Sequence, residues 1–404
     1  MSRPLPEDPF LRSLVQRARA AQVNRRHVLQ GMGVGAAGLT LAACSTGSGE
    51  RPTAAEDISD TDKIVRWDNW SFYLDVDEDT GEYPSLEAFI ADTGIQATYT
   101  EAVDDNNTYY GKVKDQLQLG QDIGADTVCL TDWMVDRLIR FGYVQELDHG
   151  NMPNVTANLV DPLKDVGFDP GRTFSVPWQG GFAGIAWNKD ELPGGLTSVS
   201  DLWDPSLKGR VGVLSEMRDT MGCIMQDLGT QIDGQWGDDE FAAAMDVFRE
   251  HVESGQIRNI KGNSYTEDLQ NKDTIAAIVW SGDITILNFE AGEHWEFALP
   301  SKGGTLWNDN FVVPIGSQHK KNAEALINHY YDPEIAAIVA AYVNYIPPVK
   351  GAKEAMMELD PELAADQNIF PSDATLANSA VFRSLDAAEE QRFSAEFQSV
   401  LLGA

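Results

Sequence analysis

Short apolar runs alternate with amphipathic stretches along most of this chain. Residues 64–67, 95–99, 126–130, 174–178, 180–188, 211–214, 275–280, 295–299 and 311–314 are rich in β-branched, small and aromatic residues, the pattern of strands buried on both faces. Between them, apolar positions at helical spacing predict helices over 86–93, 109–119, 134–141, 240–253, 285–291 and 323–331. Gly94 stops the first of these. Ser215 is expected to cap a helix that runs through Asp219 towards Leu228, and the chain from Ala352 onward reads as largely helical. Strand followed by helix, repeated, predicts an α/β fold with a mostly parallel sheet covered by helices. Two places break the rhythm. Residues 174–178 and 180–188 are extended runs joined by Gly180-Gly181 with no helix between them, and Tyr345-Ile346-Pro347-Pro348 reads as a rigid connector. Both suit crossings between two lobes. A phosphate loop at Gly180-Gly181 is disfavoured, because no Lys-Ser/Thr follows.

The hydrophobic pattern also places unusual residues at strand ends, where open α/β sheets bind ligands. The run 275–280 ends in Trp280-Ser281-Gly282-Asp283, Trp307-Asn308-Asp309 follows the Gly303-Gly304 turn, and Asp68–Tyr73, a turn after the first strand, holds Trp70 and Tyr73. Thr131-Asp132-Trp133, Trp178 and the pair Glu216 and Asp219 repeat the theme. Aromatic faces attract cations and carboxylates neutralise them, so these residues together predict a cage for a small organic cation. Each also has a plainer use: a Trp beside a strand is often core, and an acid in a first helical turn is often a cap. An empty cleft is expected to keep Glu216, Asp219, Asp283 and Asp309 in water until ammonium groups arrive.

Composition narrows the choice. At 404 residues two domains are expected, and 43% hydrophobic residues with ten tryptophans supply ample core. Residues 1–43 hold six arginines and two acids, which leaves 24 basic against 61 acidic residues, a net of −37, for the remainder. Nucleic acid is therefore excluded as a natural partner, since phosphate binding wants a basic surface. The acidic loop 74–83 spaces Asp75, Asp77 and Asp79 like a calcium loop, but the glycine comes one place late and the closing acid is missing, so it reads as a solvated loop. No cofactor or metal motif stands out, and no hydrolase nucleophile motif either. Cys129 and Cys223 fall in apolar surroundings and read as core residues.

The N-terminus is the most specific short signal. Arg25-Arg26 precedes an uncharged, glycine-rich apolar segment, 28–43, too short to span a membrane comfortably. It is similar to a twin-arginine export signal, and Leu41-Ala42-Ala43-Cys44 resembles a lipobox, which implies cleavage and lipidation at Cys44. Residues 1–43 are then a signal peptide and 44–61 a flexible tether.

Taken in order, Asn69-Trp70-x-x-Tyr73, Thr131-x-Trp133, Ser175-x-Pro177, Gly184-Ile185-Ala186-x-Asn188, Leu202-Trp203 with Lys208-Gly209, Trp280-Ser281-Gly282-Asp283, Trp307-x-Asp309 and Tyr345-x-Pro347-Pro348 resemble the solute-binding proteins of spermidine/putrescine ABC transporters. That resemblance implies a two-lobed, hinged α/β fold, periplasmic-binding-protein-like, with lobe 1 from 62–180 and 306–353 and lobe 2 from 184–305 and 356–404. It implies a polyamine ligand, an ABC permease as partner, a monomer, and a location outside the cytoplasmic membrane. Trp70, Tyr73, Trp280, Trp307 and Tyr345 become aromatic walls, Ser71 and Thr131 hydroxyl donors, and Glu216, Asp219, Asp283 and Asp309 the carboxylates; Trp133 stands where the family has a tyrosine. Phe382 or Arg383 stands where the spermidine type has a glutamine. Two rival readings are a binder of similar architecture for an oligosaccharide and an exported glycoside hydrolase using Glu216 with Asp309 or Asp283.

Overall fold

The computed structural model describes residues 51–403 apart from Glu78; Arg25, Arg26, Cys44 and the rest of the leader lie outside the described residues. Its strands are β1 Ile64–Trp70, β2 Gln96–Val103, β3 Thr127–Thr131, β4 Ser175–Asn188, β5 Val211–Leu214, β6 Ile257–Lys261, β7 Ala276–Trp280, β8 Trp295–Ala298, β9 Gly304–Val312 and β10 Ser379–Ala380. They join in the order β2-β1-β3-β9-β4-β7-β5-β6, with β10 beside β9 and β8 beside β4. The flanks are parallel, as the strand and helix rhythm requires. The centre is antiparallel, where β9 lies between β3 and β4 and β4 meets β7.

This centre is where the two lobes join. One core gathers Trp67, Phe89, Trp178, Phe311 and Tyr330, and a second, beyond β4, gathers Val213, Met221, Phe241, Phe248 and Phe397. Trp280 packs against both. The strands β4 and β9 run side by side from one core to the other, with Ser175 opposite Val312 and Ala183 opposite Thr305. Cys129 and Cys223 are buried free thiols, one in each core.

Several expectations are corrected by this arrangement. Gly180 and Gly181 do not separate two runs: β4 is one strand, buried at every position. What these glycines provide is space, since a Cβ at Gly181 would lie 2.5 Å from the Trp307 ring and 2.8 Å from Tyr345. The segment 68–70 continues β1, and Trp307 to Asp309 sit inside β9 instead of on the turn before a strand at 311–314. Ser215 is not the cap of the next helix, α3 (Met217–Asp227); that place belongs to Glu216. In the acidic loop, Asp75 is buried and not solvated, accepting hydrogen bonds from the Ser85 amide and hydroxyl at the start of α1 (Pro84–Thr93). Burial pushes its carboxyl up to about 6, against the pull of the Ser85 bonds. From Arg51 on, the expected tether is bonded to lobe 1, through Ala55 to Ile315, Ile58 to Gln318 and Lys321 to Asp60. Among the described residues no helix is long and apolar enough to cross a membrane.

Candidate functional site

Strand alternation builds the floor of the site. Thr305, Trp307 and Asp309 stand two apart on β9 and so point to one face of the sheet. Beside them β7 ends at Trp280 and turns directly into α5 (Ser281–Ala291), whose first turn holds Asp283. Tyr345 arrives on the loop after Asn344, which takes a left-handed backbone with φ 58°. That loop is clamped to β4 by reciprocal hydrogen bonds between Gly180 and Ile346, 2.9 and 2.7 Å. A Cβ at Gly282 would lie 2.8 Å from the Tyr345 ring, so a glycine is needed here for the close approach. Tyr345 then meets Tyr73 and Trp307 edge-on, with ring centroids 5.6 and 5.2 Å away.

Three carboxylates are held among these rings by neutral donors. Asp219, in the first turn of α3 (Met217–Asp227), accepts from Trp280 Nε1 at 2.8 Å and Thr305 Oγ1 at 2.6 Å. Asp283 accepts from the hydroxyls of Tyr265 at 2.7 Å and Tyr345 at 3.0 Å. Asp309 accepts from Thr131 Oγ1 at 2.7 Å, and Asn106 in turn donates to that hydroxyl at 2.9 Å. Among the described residues, no Lys, Arg or His bonds to any of the three. Burial therefore dominates: it raises Asp219, pushes Asp283 up to about 6 and Asp309 up to about 7, the hydroxyl donors only partly offsetting it. Asp132 also adds negative potential at Asp309, and is itself raised by burial while Arg172, Asn310 and Asn308 pull it down. The expectation of water-exposed acids is corrected for Asp219 and Asp309, each only 5% exposed, whereas Asp283 and Glu216 are half-buried.

The remaining predicted residues divide. Trp70 and Ser71 are half-buried at the end of β1, and the buried Tyr73 hydroxyl lies near Asp309 without reaching hydrogen-bond geometry. The indole nitrogens of Trp70 and Trp307 are likewise buried without a partner. Trp133 and Glu216 both meet Arg218. Arg218 covers the Trp133 ring at 4.0 Å, and Glu216 caps α3 by accepting from the Arg218 amide at 3.2 Å. Trp178 packs in the core of lobe 1, 5.2 Å from Trp67. Phe382 is committed to the core of lobe 2 against Trp236, and Arg383 to Glu389.

Sequence reading missed Tyr265, Thr305, Asn106 and Gln179. Tyr265, on α4 (Tyr265–Gln270), bonds Asp283 and also accepts from the Trp280 amide at 3.1 Å, so it fixes both. Gln179 pairs with Asp309 across the β4/β9 ladder and its buried Oε1 has no partner. Thr305, Asn106 and Gln179 stand in no aromatic and acid pair, whereas Tyr265, two residues before Glu267, does carry that signal.

Comparison with known proteins accords with this geometry. A family model described as bacterial extracellular solute-binding protein matches residues 85–371. The spermidine/putrescine-binding periplasmic protein of Salmonella typhimurium is 28% identical over 80% of this chain and 87% of its own. The putrescine-binding periplasmic protein PotF of Escherichia coli is 26% identical over 75% and 82%. Among solved structures, a putative spermidine/putrescine ABC transporter from Listeria monocytogenes superposes with a TM-score of 0.72 at 24% identity, covering 85% of this chain and all of that one. The fold is that of the two-lobed periplasmic binding proteins, and the chain belongs to the bacterial extracellular solute-binding protein family.

Proposed function

We propose that this protein captures a polyamine outside the cytoplasm and delivers it to an ABC permease. The observation that carries this reading is the kind of donor in the cage: Asp219, Asp283 and Asp309 lie among aromatic rings and hydroxyls, and among the described residues no basic side chain bonds to them. Buried carboxylates without counter-charge are costly, and an alkylammonium ligand supplies the charge. Each charged hydrogen bond contributes about 1.5 to 3 kcal/mol and each cation over a ring about 0.5 to 2, so a few of them reach micromolar binding, about 8 kcal/mol, after ordering costs. Trp280, Trp307, Trp70, Tyr73 and Tyr345 suit methylenes between the amines. The names of the relatives point the same way. A neutral oligosaccharide fits less well, because it leaves the three acids uncompensated. A hydrolytic role has less behind it, since Glu216, the acid it would employ, caps a helix by accepting from the Arg218 amide.

The leader pattern supports export by the twin-arginine route and anchoring by a lipid on Cys44, and the ligand-binding unit is taken as a monomer. Cys44→Ser should release the protein from the membrane fraction, and Arg25→Lys with Arg26→Lys should block export; a variant that stays membrane-bound, or is exported normally, argues against the respective assignment. The ligand itself is tested by calorimetric titration of the ligand-stripped protein with putrescine, spermidine and maltose. Micromolar binding of a polyamine, lost in Asp309→Asn, is the expected result; binding of maltose alone contradicts it.

A further inference from the structure

On β4 the face turned to the cage carries Gly181, whose lack of a side chain leaves room for the Trp307 and Tyr345 rings, while a Cβ at Gly180 would point to Asn308 on the other face. Side chains alternate along a strand, so Gln179 shares the face of Gly181. It lies opposite Asp309, as Gly181 lies opposite Trp307. Gln179 is 2% exposed, and its Oε1 meets no donor. Among the described residues, the other buried side-chain atoms left without a partner are N–H groups and the Tyr73 hydroxyl, so Gln179 Oε1 is the one pure acceptor in that state. Burial has taken its bonds to water without replacing them, which costs free energy. Other buried acceptors are served by the chain. Asp309 takes a bond from Thr131, the residue before α2 (Asp132–Phe141), and Glu390 holds Arg137 at 2.9 Å, Arg140 at 2.8 Å and Arg218 at 3.3 Å.

We propose that Gln179 Oε1 is a ligand acceptor that, with the Asp309 carboxylate, holds one amine nitrogen through two separate N–H bonds, so that the site takes primary and secondary amines and rejects tertiary and quaternary ones. This rests on the polyamine reading of the site. A neutral acceptor adds a hydrogen bond to the ammonium without adding a fourth acid to the cage. Charge and a ring face do not tell an ammonium from its methylated form, since both are cations. Two acceptors do: a tertiary ammonium has one N–H and a quaternary ammonium none, and each missing N–H leaves a buried acceptor unpaired.

The test is calorimetric titration of the folded protein with putrescine, spermidine and N,N,N′,N′-tetramethylputrescine, for the parent, Gln179→Met and Gln179→Glu. The parent should bind the unmethylated amines about tenfold or more tighter than the tetramethyl one. Gln179→Met keeps the length and removes the acceptor, so the unmethylated amines should weaken about tenfold while the tetramethyl amine changes far less. Gln179→Glu returns an acceptor and should keep most of the affinity, which separates a hydrogen bond from shape. Urea unfolding of ligand-free Gln179→Met should show no loss of stability, because the orphaned oxygen is gone. A tetramethyl amine bound by the parent as tightly as the others, affinities unmoved by Gln179→Met, equal losses for all three amines, or a ligand-free Gln179→Met protein less stable than the parent each overturns the inference while leaving the polyamine reading intact. Failure of the folded parent to bind any of the three overturns both.

Discussion

The cage and the Glu390 cluster are made of the same materials and differ in where the cation comes from. Around Asp219, Asp283 and Asp309 the donors are hydroxyls and an indole, and burial drives the carboxyls up, Asp309 to about 7. Around Glu390 the donors are three guanidinia. Although burial pulls Glu390 upward as well, Arg137, Arg218 and Arg140 together hold it below the usual range. Glu216 departs from this division, since burial, with Asp219 and Asp105 adding negative potential, takes it up to about 8 even though Arg218 lies 3.9 Å away and resists. Thus a carboxylate is a structural pin where the chain provides its counter-charge, and a binding group where it does not.

The sharpest way to break the comparison is to neutralise one acid in each region. Glu390→Gln leaves three partly buried arginines without their shared partner and should lower the unfolding free energy by about 3 kcal/mol in urea titration. Asp309→Asn in the ligand-free protein should leave stability unchanged or raise it, because it removes an uncompensated charge. Equal losses in both would mean that the cage acids are structural after all. The second effect is on binding. Asp309→Asn or Asp283→Asn should weaken the amine by about 2 kcal/mol, roughly thirtyfold, while Glu390→Gln should change it far less.

The pH dependence follows from the same shifts. Asp283 and Asp309 titrate from 3.8 in the unfolded chain up to about 6 and about 7 in the folded one, so the folded protein holds more protons between those values. Stability of the ligand-free protein should therefore fall as pH rises from about 4 to about 7, and the amine, which binds the ionised form, should gain affinity over the upper part of that window. Amine binding near pH 6.5 should release protons, detectable as a dependence of the calorimetric heat on buffer; uptake would contradict the account. The smallest effect is expected for Trp280→Phe, which keeps a ring but removes the donor to Asp219, at about 1 kcal/mol of binding.

Much of this was legible in the chain, for identifiable reasons. Buried strands such as 211–214 and 276–280 announce themselves as short apolar runs, and Trp280, Asp283, Trp307 and Asp309 stand out because aromatic and acid pairs are rare at strand ends. The structure does bring these together with Asp219 and Tyr345. What local pattern cannot report is which partner a side chain meets across the fold. Trp133 and Glu216 both meet Arg218, which Glu390 holds from a place far away in sequence, and no local pattern announces that contact. Gly180-Gly181 look like a break because glycine usually marks one, whereas here the need is for ring clearance inside a continuous strand. Tyr265 stands two residues before Glu267, but the acid it serves is Asp283, a partner that only the fold reveals.

The central claim is that the cage acids lack a counter-cation until a ligand brings one. It is tested most directly by labelling aspartate side-chain carboxyl carbons with carbon-13 and following Asp283 and Asp309 by NMR across pH, with and without bound putrescine. The account predicts midpoints near 6 and near 7 in the ligand-free protein, both falling to the ordinary carboxylate range or below when the diamine is bound. Ordinary midpoints in the free protein, unmoved by the amine, would contradict it.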